Sequence, residues 1–269
     1  MRITVNGHGT YCYTGGKAFD AAKPTVVFIH GVLNDHSVWA LQSRYFANHG
    51  WNVLAVDLPG HCRSEGDAPE SVEQAAGFIA ALLDAAGVAR AALVGHSWGS
   101  LIALEAAARL QDRITHLVLV GTAYPMKVSP ALIESALNTP EKALRMVNVF
   151  SRSTLASPSG AGFWAYGAGM ALGRRVLRSN PAVNVFHRGF LACDRYAGGE
   201  AAIAQITCPV LFALGAHDQM TNPKAAQGLI AAARAAGKAV QVASLPVGHH
   251  QMTEAPDATL FAIRDFLAA

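Results

Sequence analysis

The 269-residue chain predicts an α/β fold built on a mostly parallel sheet, and three observations carry that reading. Short β-branched or apolar runs alternate with longer Ala/Leu-rich segments, the rhythm of strands joined by crossover helices. Two runs, "TVVFIHG" at 25–31 and "PVLFALG" at 209–215, are apolar without interruption, as strands covered on both faces are. The stretch "LVGHSWGSLIAL" at 93–104 ends one apolar run and begins a helical one around a single serine between two glycines.

Taken in order, strands are expected at 3–5, 10–13, 25–30, 52–57, 91–95, 117–121, 210–215 and 240–245, which makes eight. The first two alternate polar and apolar residues and suit an antiparallel edge. Helices are expected at 37–48, 71–86, 98–110, 223–236 and 256–267. Their ends are punctuated: Gly50, Gly87 and Gly237 follow apolar-periodic segments, and Asn222-Pro223 places a capping side chain before a first-turn proline. Gly15-Gly16 reads as a hairpin turn, since "YTGGKAF" lacks the spacing of a phosphate loop.

Between 122 and 205 the alternation stops. Helical pieces at 129–137, 140–150 and 184–196 are separated by "SPSGAG" and "RSNPAV", so a mostly helical insertion follows the sixth strand. The division is therefore a core of 1–121 and 206–269 with a cap of 122–205. Within the cap, Phe163, Trp164, Tyr166, Met170, Phe186 and Phe190 could line an apolar cavity, although packing the insertion onto the core needs similar residues. The cap carries nine basic residues against four acidic ones, a surplus of five in a chain whose net charge is +3. That surplus is either a solvated surface or a means of steering anionic substrates.

Composition sets further bounds. Hydrophobic residues make up 52% of the chain, yet no run reaches the ~18 continuous apolar residues of a spanning helix, so no membrane insertion is expected. The longest uncharged run, 153–173, holds Pro158 with several serines and glycines and reads as loop and mobile helix. The beginning alternates like a strand and lacks the basic head and apolar segment of a secretory signal. Cys12, Cys62, Cys193 and Cys208 are scattered, fitting free thiols, so a cytoplasmic location is expected. The small net charge argues against a nucleic-acid partner.

Chemistry concentrates on Ser97. The pentapeptide Gly95-His96-Ser97-Trp98-Gly99 fits the G-x-S-x-G elbow, in which a sharp strand-to-helix turn exposes the serine and small flanking residues relieve crowding. A helix starting there points N–H groups and its positive end at charge developing beside the serine. A serine hydroxyl is a weak nucleophile and needs a base, itself held by a third group. Among eleven histidines, His249 lies in the loop after the last strand, with His250 its direct rival. Asp218 follows "PVLFALGAH" one strand earlier, giving the chain order Ser97, Asp218, His249. Asp57, ending "VLAVD", reads as a turn-stabilising residue. The backbone N–H groups of Trp98 and Val32 are the expected oxyanion donors. No H-E-x-x-H pattern or ligand set appears, so no metal is expected.

With "HGVLNDHSVW", "DLPGHCRS", "GHSWGS", "LGAHD" and "GHHQMTEAP" in place, the chain resembles the α/β-hydrolase-fold serine hydrolases that carry a helical cap. Gly248, His249, Glu254 and Pro256 match the family's C-terminal pattern of Gly-His, an acidic residue five positions on, and proline, which favours His249 over His250. Cys62 stands where relatives usually have glycine, implying a slightly different turn. The "HGVLND" turn departs from the glycine-proline-rich sequence of the family's proline iminopeptidases, and serine at the nucleophile position departs from the aspartate of dehalogenases and related epoxide hydrolases. The resemblance implies a cofactor-independent hydrolase of small-molecule carboxylic esters. Lactone, thioester or carbon–carbon cleavage could use the same triad, and a non-catalytic ligand-binding member of the fold is the alternative of a different class. Acyl group, alcohol, substrate-binding residues and oligomeric state are left open by the sequence.

Overall fold

The computed structural model describes residues 1–153 and 165–269, and its centre is one eight-stranded sheet. Its strands are β1 (Arg2–Val5), β2 (His8–Tyr13), β3 (Thr25–Ile29), β4 (Asn52–Val56), β5 (Ala91–His96), β6 (Ile114–Val120), β7 (Val210–Gly215) and β8 (Val240–Leu245). The spatial order is β1-β2-β4-β3-β5-β6-β7-β8. β1 pairs antiparallel with β2 and β2 with β4, and every other pairing is parallel. The expected antiparallel edge is thus present. Its hairpin turn, however, is Asn6-Gly7, where Val5 pairs with His8 and both turn residues take positive φ, as a tight two-residue turn requires. Gly15-Gly16 turns the chain as well, but β2 and β3 are not neighbours, so no hairpin forms there.

Helices cover both faces. They are α1 (Ala40–Asn48), α2 (Val72–Ala85), α3 (Trp98–Leu110), α4 (Pro130–Asn138), α5 (Pro140–Phe150), α6 (Ala165–Ser179), α7 (Val185–Arg195), α8 (Gly199–Gln205), α9 (Gln227–Ala235), α10 (Gln251–Glu254) and α11 (Pro256–Leu267). Strand periodicity sorts the core into two layers. Val27, Ile29, Leu54, Leu93, Leu117 and Phe212 face one side and pack with α2, α3, α8 and α9. Their neighbours Val26, Phe28, Val53, Val94, Val118 and Leu211 face the other, against α1 and α11. Local signals set the helix starts: the Ser71 hydroxyl accepts from the Gln74 N–H, and Asn222 Oδ1 accepts from the Lys224 N–H.

Helices α4 to α7 interrupt the sheet between β6 and β7 and form a cap with its own apolar cluster, centred on Leu144, Val176, Phe186 and Phe190. Of the loop and helix expected over 153–173, the helix is α6, which begins at Ala165 and runs on to Ser179. Its glycines sit where neighbouring helices approach closely: a Cβ at Gly169 would fall on Asn148 and one at Gly173 on Leu144. Among the described residues, no helix is long and apolar enough to cross a membrane.

Candidate active site

The candidate site residues collect at the carboxyl ends of the parallel strands, where side chains emerge beyond the sheet. β5 runs into Ser97, whose φ of 55° and ψ of −121° place it in a strained left-handed conformation before α3 begins. Its N–H is held by the Val120 carbonyl at 2.9 Å. The elbow works only with glycine on either side. A Cβ at Gly95 would lie 2.0 Å from the Gly99 carbonyl oxygen, and one at Gly99 would lie 2.4 Å from that of Ile29. Strand and helix therefore meet backbone to backbone.

His249 and Asp218 come together as the chain order suggested. His249 Nδ1 lies 2.8 Å from Asp218 Oδ2, both side chains being buried. Asp218 Oδ1 accepts from the Met220 and Thr221 N–H groups at 2.8 Å each. Burial pushes the Asp218 carboxyl up, but the adjacent His249 and the Thr221 donors outweigh it and hold the group below the ordinary carboxylate range. An acceptor carboxylate fixes the proton of His249 on Nδ1 and leaves Nε2 free as a base. Among the described residues, Ser97 Oγ and His249 make no direct hydrogen bond, although both line the same cavity.

Sequence reasoning missed Thr221. Its hydroxyl lies 2.7 Å from Asp218 Oδ2, 2.9 Å from the Gly121 carbonyl and 3.0 Å from His249 Nδ1. It ties the carboxylate loop to the end of β6 while contacting both partners of the pair. The signal was the spacing in "HDQMT": an aspartate with a threonine three positions later is a common self-capping turn.

His250 falls elsewhere. It lines the cavity without touching Asp218, and burial, together with Arg152 and two histidines, pushes it well below the ordinary histidine range. The acidic residue of the Gly-His pattern braces the loop, its Glu254 carboxylate accepting from the N–H groups of Gly248, His250 and Ser153 at 3.1, 3.0 and 2.9 Å. It folds the histidine loop onto the 151–153 segment. His96 Nε2 lies 2.8 Å from the His249 carbonyl, and burial drives His96 down to about 3, so it supports the same loop as a neutral donor.

The Val32 and Trp98 N–H groups have no acceptor among the described residues, and Val32 borders the cavity beside Ser97. The Trp98 indole, by contrast, points into the core and is 1% exposed, so it does not shape the cavity. Other readings resolve similarly. Asp57 accepts from His36 and from the Arg63 N–H, a turn role. Asp35, His36 and Asp57 cluster closely enough for a metal, but each carboxylate is engaged internally, Asp35 by Ser37 and Arg175. Cys62 keeps the glycine-like turn, at φ 45°, with its N–H on Ser179 Oγ and its thiol on Asp35.

The cavity has two lobes of ≈ 280 Å³ that meet at Ser97, His249, Val32 and Phe190. One runs between α5 and α6 and is bordered by Asn34, Asn148, Arg152 and His250. The other runs under α4 and is bordered by Met126, Leu132, Met146 and Phe150. Of the lining residues expected from sequence, Phe186 and Phe190 do line it, whereas Met170 and Tyr166 pack with the cap cluster. Phe163 and Trp164 lie outside the described residues.

Comparison with known proteins agrees with this architecture. A family model described as alpha/beta hydrolase fold matches residues 24–256. The chain is 36% identical over 112 residues to the dihydrolipoyllysine-residue acetyltransferase component of the acetoin cleaving system of Cupriavidus necator, covering 41% of this chain and 28% of that protein. It is 30% identical over 138 residues to epoxide hydrolase 3 of Xenopus tropicalis, covering 46% of this chain and 37% of that protein. It thus spans less than half the length of these curated relatives. Among solved structures, the enol-lactonase of Burkholderia xenovorans LB400 superimposes with a TM-score of 0.81 at 24% identity, over 100% of both chains. An esterase from Exiguobacterium antarcticum gives 0.82 at 17% identity, over 100% of this chain and 99% of that one. With sheet order, elbow and family match in agreement, the chain belongs to the alpha/beta hydrolase fold family.

Proposed function

We propose that the protein is a serine hydrolase of carboxylic esters working through an acyl-enzyme, with 1–121 and 206–269 as its core and 122–205 as its cap. The observation that carries this reading is the 2.8 Å His249–Asp218 pair opening on the same cavity as a strained Ser97. His249 Nε2 removes the Ser97 proton as Oγ attacks the ester carbonyl. The Val32 and Trp98 amides receive the oxyanion, and His249 then protonates the departing alcohol. Asp218 stays ionised throughout and stabilises the imidazolium. Water repeats the cycle to free the acid, and no cofactor or metal takes part.

The reading is tested by hydrolysis of 4-nitrophenyl butyrate together with labelling by a serine-directed fluorophosphonate. Ser97→Ala abolishes labelling and lowers kcat at least ~10⁴-fold, in line with loss of a triad nucleophile. His249→Ala gives a comparable loss and His250→Ala a much smaller one. Undiminished turnover in Ser97→Ala sinks the mechanism, and equal losses at 249 and 250 sink the assignment of the base.

A further inference from the structure

We infer that the cavity is built for an ester or lactone bearing a carboxylate, and that Arg152 is the residue that receives it; this rests on the ester-hydrolase reading above. Arg152 borders the lobe between α5 and α6, and its Nε and Nη1 are buried without a hydrogen-bond partner among the described residues. A buried guanidinium left in this state is unfavourable, because its donors have lost water and gained no acceptor. Such a group calls for an acceptor, and a carboxylate brings two anionic oxygens for charge-assisted hydrogen bonds.

Among the described residues the surroundings supply no such acceptor, and no aspartate or glutamate of theirs borders this lobe. The nearest influential carboxylate, Glu254, already takes three backbone N–H groups. The lobe's second cation is differently placed: Arg175 donates to Asp35 Oδ2 at 2.6 and 3.1 Å and to Ser37 at 3.0 Å. The cap's basic surplus is mostly paired too, with Arg174 on Glu141, Arg188 near Glu70 and Lys127 near Asp194. Of the two arginines bordering this lobe, Arg152 is therefore the one with donors left without an acceptor among the described residues. Its backbone is pinned beside the base on both flanks, since the Ser151 carbonyl accepts from the His249 N–H at 2.8 Å and the Ser153 N–H donates to Glu254 at 2.9 Å. A carboxylate held by Arg152 sits in the same lobe as Ser97 and His249.

The test compares mono-4-nitrophenyl succinate with its neutral isostere 4-nitrophenyl 4-methylpentanoate, and 4-acetoxybenzoate with 4-isopropylphenyl acetate. The first pair carries the charge on the acyl side and the second on the alcohol side. In the wild type, kcat/KM favours the anion in at least one pair, and the preference persists in 0.5 M NaCl because the cation is buried. Arg152→Gln lowers that anionic-to-neutral quotient by ~10–100-fold, the range of a charge-assisted hydrogen bond. Arg152→Lys, which keeps the charge without the guanidinium, gives an intermediate quotient and covers the case in which the glutamine variant does not fold. A wild type that favours the neutral ester in both pairs, a preference erased by salt, or a quotient unmoved by either substitution overturns the assignment. Calorimetric titration of Ser97→Ala protein with succinate, with and without Arg152→Gln, reads the site without turnover. Arg152-dependent succinate binding by a protein that hydrolyses no ester would retain the carboxylate site and discard the ester reaction, whereas ester turnover without such binding would do the reverse.

Discussion

The sheet and its cap are held together by different means. In the core, apolar side chains alternate across strands that are buried along their whole length, and strand and helix backbones touch at Gly95 and Gly99. The cap has a smaller apolar cluster, which takes in Leu33 and Ala68 of the core, and is fastened further by polar ties: Arg175 to Asp35, Asn180 Nδ2 to the Gly60 carbonyl, Arg188 Nη1 to the Ala68 carbonyl and Ser179 to the Cys62 N–H. On the reading proposed above, a core made this way fixes the positions of the reacting atoms, and a cap made this way is where substrate choice would be set.

Adding one methyl group to each region separates them most strongly. In Gly99→Ala the new Cβ meets the Ile29 and His30 carbonyl oxygens at 2.4 and 2.6 Å, and neither central strand nor elbow helix can retreat. The expected loss exceeds ~3 kcal/mol, the upper range of overpacking, which for a chain of this size lowers the melting temperature by roughly 6 °C or more. In Gly173→Ala the methyl meets Leu144 Cδ1, the far end of a flexible side chain inside the cap, and a helix interior gains ~1 kcal/mol from the replacement. Its melting temperature stays within about 3 °C of wild type. Similar melting of the two variants would show that cap and core are packed alike.

The polar ties carry a pH signature. Burial pushes the Asp35 carboxyl up, but the Ser37 donors, Arg175 and His36 outweigh it and hold the group down at about 2. Because the folded value lies below the unfolded one, its stabilisation is complete above pH ~4 and fades as pH falls toward 2. The shift corresponds to about 2 kcal/mol at neutral pH. Asp35→Asn therefore flattens the stability profile in that window, measured by urea unfolding from pH 5 to 2. Unchanged slope would mean that Asp35, held by Ser37 and Arg175, contributes nothing to stability in this window.

How much of this was legible in the sequence follows the same division. β7, β8, α3 and α11 match their expected bounds, since long apolar runs with Gly and Pro punctuation fix both identity and ends. The candidate triad is equally readable, because each member follows a strand at one sheet edge. The cap was legible in part: α4, α5 and α7 lie within a residue or so of their expected bounds, whereas α6 is rich in Gly and Arg and packs on α5 where a Cβ at Gly169 would fall on Asn148, a tertiary contact no local propensity conveys. The contacts of Thr221 with Gly121 and His249, and the lack of a partner for Arg152 Nε and Nη1 among the described residues, are likewise properties of neighbours distant in sequence.

The smallest effect concerns the elbow itself. The core is rigid enough to keep Ser97 at φ 55°, ψ −121°, a conformation that costs a side-chain-bearing residue ~1–3 kcal/mol. Ser97→Ala removes the hydroxyl and keeps the strain. Ser97→Gly removes both, while adding ~0.5–1 kcal/mol of extra freedom in the unfolded chain. The glycine variant is therefore expected to be the more stable of two inactive proteins by ~1 kcal/mol, or roughly 2–4 °C in melting temperature. If Ser97→Gly melted at or below Ser97→Ala, the strain would not reside in the serine's backbone, and the contrast between an unyielding core and an accommodating cap would lose its sharpest instance.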